Sequence, residues 1–219
     1  QQVPERLSAI NDTLPADIQG GLAPLTTPLG EMFMFTVNSP TLDLMQRREL
    51  LDWVIRPALR SVEGVADVNS LGGYVKTFEI IPDLAKLAAL NISLADIQHT
   101  LEMNNRNDGA GRIDEGEEVL LVRAQGSLQN LDDIKRLVVK SDANEPVLLS
   151  QVAECQIGSL TRYGAVSANG QGEAVQGLVL GLRGANAKKV VAGIEKRLAE
   201  LQPSLPDDVT IDVFYNRGE

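Results

Sequence analysis

RLAELQPSLPDDV, residues 197–209, repeats without a gap the pattern of RLSAINDTLPADI, residues 6–18. Arg6/Arg197, Leu7/Leu198, Leu14/Leu205, Pro15/Pro206 and Asp17/Asp208 are identical pairs, and Ile10/Leu201 and Ile18/Val209 are similar. Each copy reads as the end of a helix, a Leu-Pro stop, an acidic turn and the start of a strand, because proline removes a backbone donor and fixes φ. One explanation is chance recurrence of a common junction. The other is that the chain holds two related βαβ-type subdomains, the first lacking its opening strand. On the second explanation the sequence is a piece that starts inside one repeat and ends just after the other.

Between the two copies, apolar spacing predicts interleaved helices and strands. Val3, Leu7, Ile10 and Leu14 are spaced as on a helix. Met32–Val37 is a short apolar run suited to a buried strand, and Asp43–Val62 reads as a helix with a kink or boundary at Pro57. Ala66–Leu71 and Val75–Pro82 read as strands of a hairpin joined through Gly72-Gly73. Helices follow at Leu84–Leu90 and, capped by Ser93, at Leu94–Asn104. Asn104–Gly116 reads as a long loop or extended hairpin arm. Strand Val119–Ala124, helix Asn130–Leu137 and strands Leu137–Lys140, Val147–Leu149 and Ala153–Ile157 form a further unit. Ala165–Asn169 and Gln176–Leu182 suggest another hairpin, Lys188–Gln202 an amphipathic helix, and Val209–Tyr215 an edge strand. Hairpins mixed with crossovers indicate the α+β class and not a doubly wound sheet.

The composition bounds the function. The 219 residues carry 20 Lys+Arg against 30 Asp+Glu, a net charge of −10, which argues against non-specific nucleic-acid binding. Aromatics are 4% of the chain, leaving few platforms for base stacking. A content of 43% apolar and 23% charged residues marks an ordinary globular chain. No apolar run is long enough to span a membrane, and the N-terminus does not read as an export signal. One Cys and one His cannot build a conventional structural zinc site, so any metal would be held mainly by carboxylates.

LLDWVIRPALRSVEGVADVNSLGGYVKTFEIIPD (50–83), continued by LAKLAALNISLADIQHTLEMNNRNDGAG, resembles the first large periplasmic loop of resistance-nodulation-division efflux pumps. It is most similar to the heavy-metal branch of the cobalt-zinc-cadmium type. VLLVRAQGSLQNLDDIKRLVV, PVLLSQVAE and AVSANGQGEAVQGLVLGLRGANAKKVV follow in the family's order, and the last strand runs into Tyr215-Asn216-Arg217. The resemblance implies two ferredoxin-like porter subdomains, the first incomplete, with an inserted α+β docking subdomain. Residues 1–40 would be the partial first porter subdomain, 41–105 with 175–219 the second, and 106–174 the docking insertion. The loop near Asn104–Glu118 would be a candidate for reaching a neighbouring protomer.

The resemblance further implies a homotrimer in the inner membrane of a Gram-negative bacterium, with this part in the periplasm. It implies a membrane-fusion adaptor and an outer-membrane channel as partners. The pump would exchange protons for divalent cations such as Zn²⁺, Co²⁺ or Cd²⁺, which are cargo and not a tightly bound cofactor, and no catalytic residues are implied. The proton-relay residues of such pumps lie in membrane helices, so this chain alone would not transport. Acids lining the cleft of divalent-metal members match Glu31 in LGEMFMF and Asp67 in GVADVNS. Hard carboxylate oxygens suit a divalent ion that must be released in each cycle. Solvated strand-end residues are the competing explanation for both.

Other candidates favour ordinary roles. Met32 and Met34 could present paired thioethers to Cu(I), the signature of a copper-silver exporter, but core packing explains them better. His99, near Asp96 and Glu102, reads as an exposed helix face, and Cys155 as a buried thiol. A copper-silver or organic-compound exporter of the same superfamily, and a free-standing α+β enzyme or small-molecule-binding protein, are the alternatives.

Overall fold

Phe33, Phe35 and Val37 alternate along β1 (Glu31–Asn38) and are fully buried, which places this strand inside a sheet covered on one face. The computed structural model describes residues 30–105, 108–115, 118–124, 128–141 and 146–218. The repeat copy at 6–18, the helix expected at its start and the chain up to residue 29 lie outside the described residues. After β1 come α1 (Leu44–Leu50), a π-helical segment (Leu51–Ile55), α2 (Arg56–Arg60) and β2 (Val65–Gly72). There follow β3 (Lys76–Pro82), α3 (Leu84–Leu90), α4 (Leu94–Asn104), β4 (Asp108–Glu115), β5 (Glu118–Ala124) and α5 (Leu131–Lys135). Next are β6 (Val138–Ser141), β7 (Pro146–Leu148), α6 (Leu149–Val152) and β8 (Ala153–Ser159). The chain closes with β9 (Val166–Ser167), β10 (Glu173–Gly181), α7 (Ala187–Leu201), a short 3₁₀ turn (Gln202–Ser204) and β11 (Thr210–Asn216).

The chain forms two compact units, residues 1–75 with 161–219, and residues 76–160. In the first, the sheet order is β11-β1-β10-β2, with β9 added to β10, and every pair is antiparallel. Two strand-helix-strand crossovers, β1 to β2 and β10 to β11, interleave, which is the split βαβ connectivity of ferredoxin-like layers. One such layer is present among the described residues. The helices bury Leu51, Ile55, Leu59, Val190, Val191, Ile194 and Leu198 against Phe33, Phe35, Val37, Val68, Val175 and Val179. Asp43 caps α1 by accepting from the Gln46 amide while Gln46 returns the contact to the Asp43 N–H.

Pro57 does mark a change in its helix, but the change is a π-helical turn on its N-terminal side. The Arg56 N–H reaches back to the Leu51 carbonyl, and the added width turns Trp53 and Val54 outward to 77% and 37% exposure. The Leu-Pro stop near the C-terminus behaves as its sequence predicts. α7 ends, Leu205 and Val209 are buried, and β11 begins at Thr210 as an edge strand.

The second unit carries its own core of Leu87, Ile92, Ile97, Ile134, Leu137, Leu149 and Val152. β3 pairs with β8, β4 with β5, and β6 with β7, all antiparallel. The stretch after Asn104 thus includes a hairpin arm.

One expectation is corrected. Gly72-Gly73 does not join a hairpin, since β2 pairs with β10 and β3 with β8. Both glycines have positive φ, but the Gly72 carbonyl accepts from Arg48 Nη1 at 2.6 Å. A Cβ on Gly73 would lie 2.8 Å from the Leu44 carbonyl oxygen, so this bend is fitted against α1 and leads the chain out of the sheet. The compact units divide at 75 and 160. The reason is pairing: β1 shares its sheet with β2, while the residues of α3 and α4 share a core with those of α5 and α6.

Phe35 lies opposite Gly177, and a Cβ there would collide with its ring. Gly177→Ala is therefore expected to cost about 1–3 kcal/mol in a urea denaturation series. Gly164→Ala, at a position with no described atom within 4 Å of the added carbon, is expected to stay within about 0.5 kcal/mol of the parent.

Candidate functional site

With the apolar residues of β1 turned toward the helices, the other face of the sheet carries a different set. Met34 lies opposite Leu178 and Tyr215, and Thr36 lies opposite Gln176 and Asp212. At one end of this face the register pairs Glu31 with Leu180 and Leu180 with Asp67. The two acids nominated from the sequence therefore stand in one cross-strand row, two strands apart. That is a backbone separation of about 10 Å at the usual strand spacing.

Their surroundings differ. Glu31 is exposed at the first position of β1, and its carboxylate makes no hydrogen bond or ion pair with another described residue. Asp67 is already engaged. Its Oδ1 accepts from the Val68 N–H at 2.8 Å and lies 3.3 Å from Arg56 Nη2 and 3.4 Å from Arg60 Nε. Arg56 Nη2 also lies 3.4 Å from Oδ2. Two guanidinium groups from α2 thus draw the Asp67 carboxylate toward the helix. A cation bound there would have to displace them, because a dication and a guanidinium compete for the same lone pairs. Among the described residues no three of His, Cys, Asp and Glu are grouped as a ready metal site.

Met32 and Met34 do not act as a pair. A register shift between Glu31 and Phe33 puts Met32 into the core, 5% exposed, where a Cβ on Gly181 would meet its thioether. Met34 stays on the other face. The Asp96 carboxylate accepts from the Ser93 N–H and hydroxyl as part of a capping box, and these bonds hold its pKa below the usual range. Glu102 receives the Gln98 amide, and the nearby His99 helps electrostatically to keep Asp96 ionised. Cys155 is buried on β8, and burial pushes its thiol pKa up, which disfavours the reactive thiolate.

At the opposite end of the sheet lies a groove of about 860 Å³ that sequence reasoning missed, lined among others by Asn38, Ser39, Arg47, Gln176, Asp208 and Asp212. Asn38 Nδ2 donates to Asp212 at 2.8 Å and to Thr36 Oγ1 at 3.0 Å. Ser39 Oγ donates to Asp208 Oδ2 at 2.6 Å, and Thr41 Oγ1 donates to the same oxygen. The signal was present in the repeat, where Asp17 and Asp208 coincide, but it read there as a turn residue and not as the acceptor for a distant loop.

No helix among the described residues is long and apolar enough to cross a membrane. The model of the AcrB/AcrD/AcrF family matches residues 1–219. Protein HelA of Legionella pneumophila is 40% identical over 99% of this chain and 21% of its own length. The cobalt-zinc-cadmium resistance protein CzcA of Cupriavidus metallidurans is 34% identical over 99% of this chain and 21% of its own length. A crystal structure of a heavy metal efflux pump superposes with a TM-score of 0.77 at 33% identity, covering 98% of this chain and 22% of that one. The chain thus spans about a fifth of the length of the curated relatives it matches.

The Ser39 and Thr41 hydroxyls hold the Asp208 pKa below its ordinary value of 3.8. The stability it contributes is then complete above that value and is lost as pH falls through the lower folded-state value. Urea midpoints of the parent and Asp208→Asn, compared from neutral to acid pH, are expected to differ most at neutral pH and to converge in the acid range.

Proposed function

The chain belongs to the AcrB/AcrD/AcrF family of resistance-nodulation-division transporters, and on that premise we propose that it is the periplasmic porter and docking part of a proton-driven heavy-metal efflux pump. The cargo in this reading is a divalent cation such as Zn²⁺, Co²⁺ or Cd²⁺. The first compact unit, built on the β11-β1-β10-β2 sheet, serves as a porter subdomain, and the inserted unit of residues 76–160 serves as the docking part. Residues N-terminal to β1 belong to the partial first porter subdomain. The complete pump is an inner-membrane homotrimer of a Gram-negative bacterium, joined to a periplasmic adaptor and an outer-membrane channel.

The observation that carries the cargo assignment is the cross-strand row Glu31-Leu180-Asp67, which sets the two acids two strands apart at one end of the sheet. Glu31 supplies a carboxylate with no competing described partner. Asp67 supplies a second one only by giving up Arg56 and Arg60, so loading and arginine release are coupled in this reading. The remaining ligands come from parts of the pump outside this chain. Burial of Met32 removes one half of a thioether pair, which supports a divalent ion over Cu(I).

The test uses the full-length parent pump in a metal-sensitive Gram-negative host. Glu31→Gln and Asp67→Asn are each expected to lower apparent affinity for Zn²⁺, Co²⁺ or Cd²⁺ by about tenfold or more at unchanged protein level. Tolerance to silver or copper alone in the parent would overturn the cargo. Unchanged divalent efflux in both variants would overturn the site.

A further inference from the structure

Between Gly72 and Lys76 on the way out, and between Ser159 and Val166 on the way back, the chain belongs to no strand or helix. These two stretches are the crossings between the compact units. Beyond them β3 and β8 pair as a ribbon from Lys76 opposite Ser159 onward. Within residues 160–165 every side chain is exposed except that of Arg162, and the adjacent Tyr163 is 99% exposed.

Arg162 makes three kinds of contact. Its guanidinium carbon sits 3.8 Å from the ring centroid of Tyr74 on the outgoing segment. Its Nη2 donates to the Tyr74 hydroxyl at 3.0 Å. Both terminal nitrogens donate to the Glu173 carboxylate, at 2.5 and 3.2 Å, and Glu173 is the first residue of β10. A planar fork can stack on a ring and grip a carboxylate at the same time, which an ammonium group cannot do.

We propose that Arg162 is the positioning residue of the two crossings: it binds the outgoing and returning segments to each other and to the start of β10, so that they form one root. No other side chain of the returning segment is placed to do this. The inference concerns the root alone and holds whatever cargo the pump carries.

The experiment is amide hydrogen exchange on the whole chain, read at the foot of the ribbon (residues 76–78 and 157–159) and, as reference, in β1 and the middle of β10. Arg162→Ala is expected to speed exchange at the foot by about tenfold while the reference strands keep their protection. Arg162→Lys keeps the charge but is expected to recover less than half of the lost protection. Glu173→Gln, a milder change, is expected to act on the same amides in the same direction. Unchanged exchange at the foot in the Arg162 variants would overturn the proposal, as would a loss spread equally over the reference strands. Full rescue by lysine would overturn the role of the planar fork.

Discussion

Phe35 can lie flat between β1 and β10 because Gly177 has no side chain to oppose it. That contact lets a large ring occupy the middle of the sheet on the helix side while Val175 and Val179 close over it from β10. The period of two then dictates the rest. Every apolar residue of β1 spent on the helical face leaves its neighbour on the other face, so Met34, Thr36 and Asn38 line up with Leu178, Gln176, Tyr215 and Asp212. The same alternation that builds the core therefore builds a mixed polar and apolar wall, with Glu31 at one end and the Asp208 network at the other.

In the proposed cleft Asp67 would serve two demands. It lies on β2, at the edge of the sheet, where α2 passes close enough for Arg56 and Arg60 to reach it. These pairs are half-exposed, so water screens them and their contribution to stability is small. A weak, screened pair is also an exchangeable one. That is the property a transport site needs and a structural ion pair deep in a core would lack.

Local pattern carried much of the fold. The burial of Phe33, Phe35 and Val37, the amphipathic face of α7 and the Ser93 cap of α4 all follow from spacing within a few residues. What failed was pairing across distance. Gly72-Gly73 has the chemistry of a tight turn, but turn chemistry does not name the partner, and the partner of Gly72, Val175, lies roughly a hundred residues further along the chain. Of the site, Glu31 and Asp67 could be named only through resemblance. Arg56 and Arg60 could not be named at all, since nothing in their spacing from Asp67 requires contact. Register alone put the two acids in one row.

The insertion between β2 and β10 also bears on how the sheet is assembled. Bringing Val175 to Gly72 closes a loop of roughly a hundred residues, and the entropy of that closure must be met before the pair yields any contact. The β3–β8 ribbon short-circuits it, since once Lys76 and Ser159 are paired the effective loop falls to about twenty residues. By the logarithmic law this lowers the closure cost by about 1.5 kcal/mol. The inserted unit, whose β4–β5 and β6–β7 pairings are local and bring β3 and β8 closer along the chain, would then fold ahead of the sheet and act on it as a temporary crosslink, delivering β10 to the strand beside which it must lie.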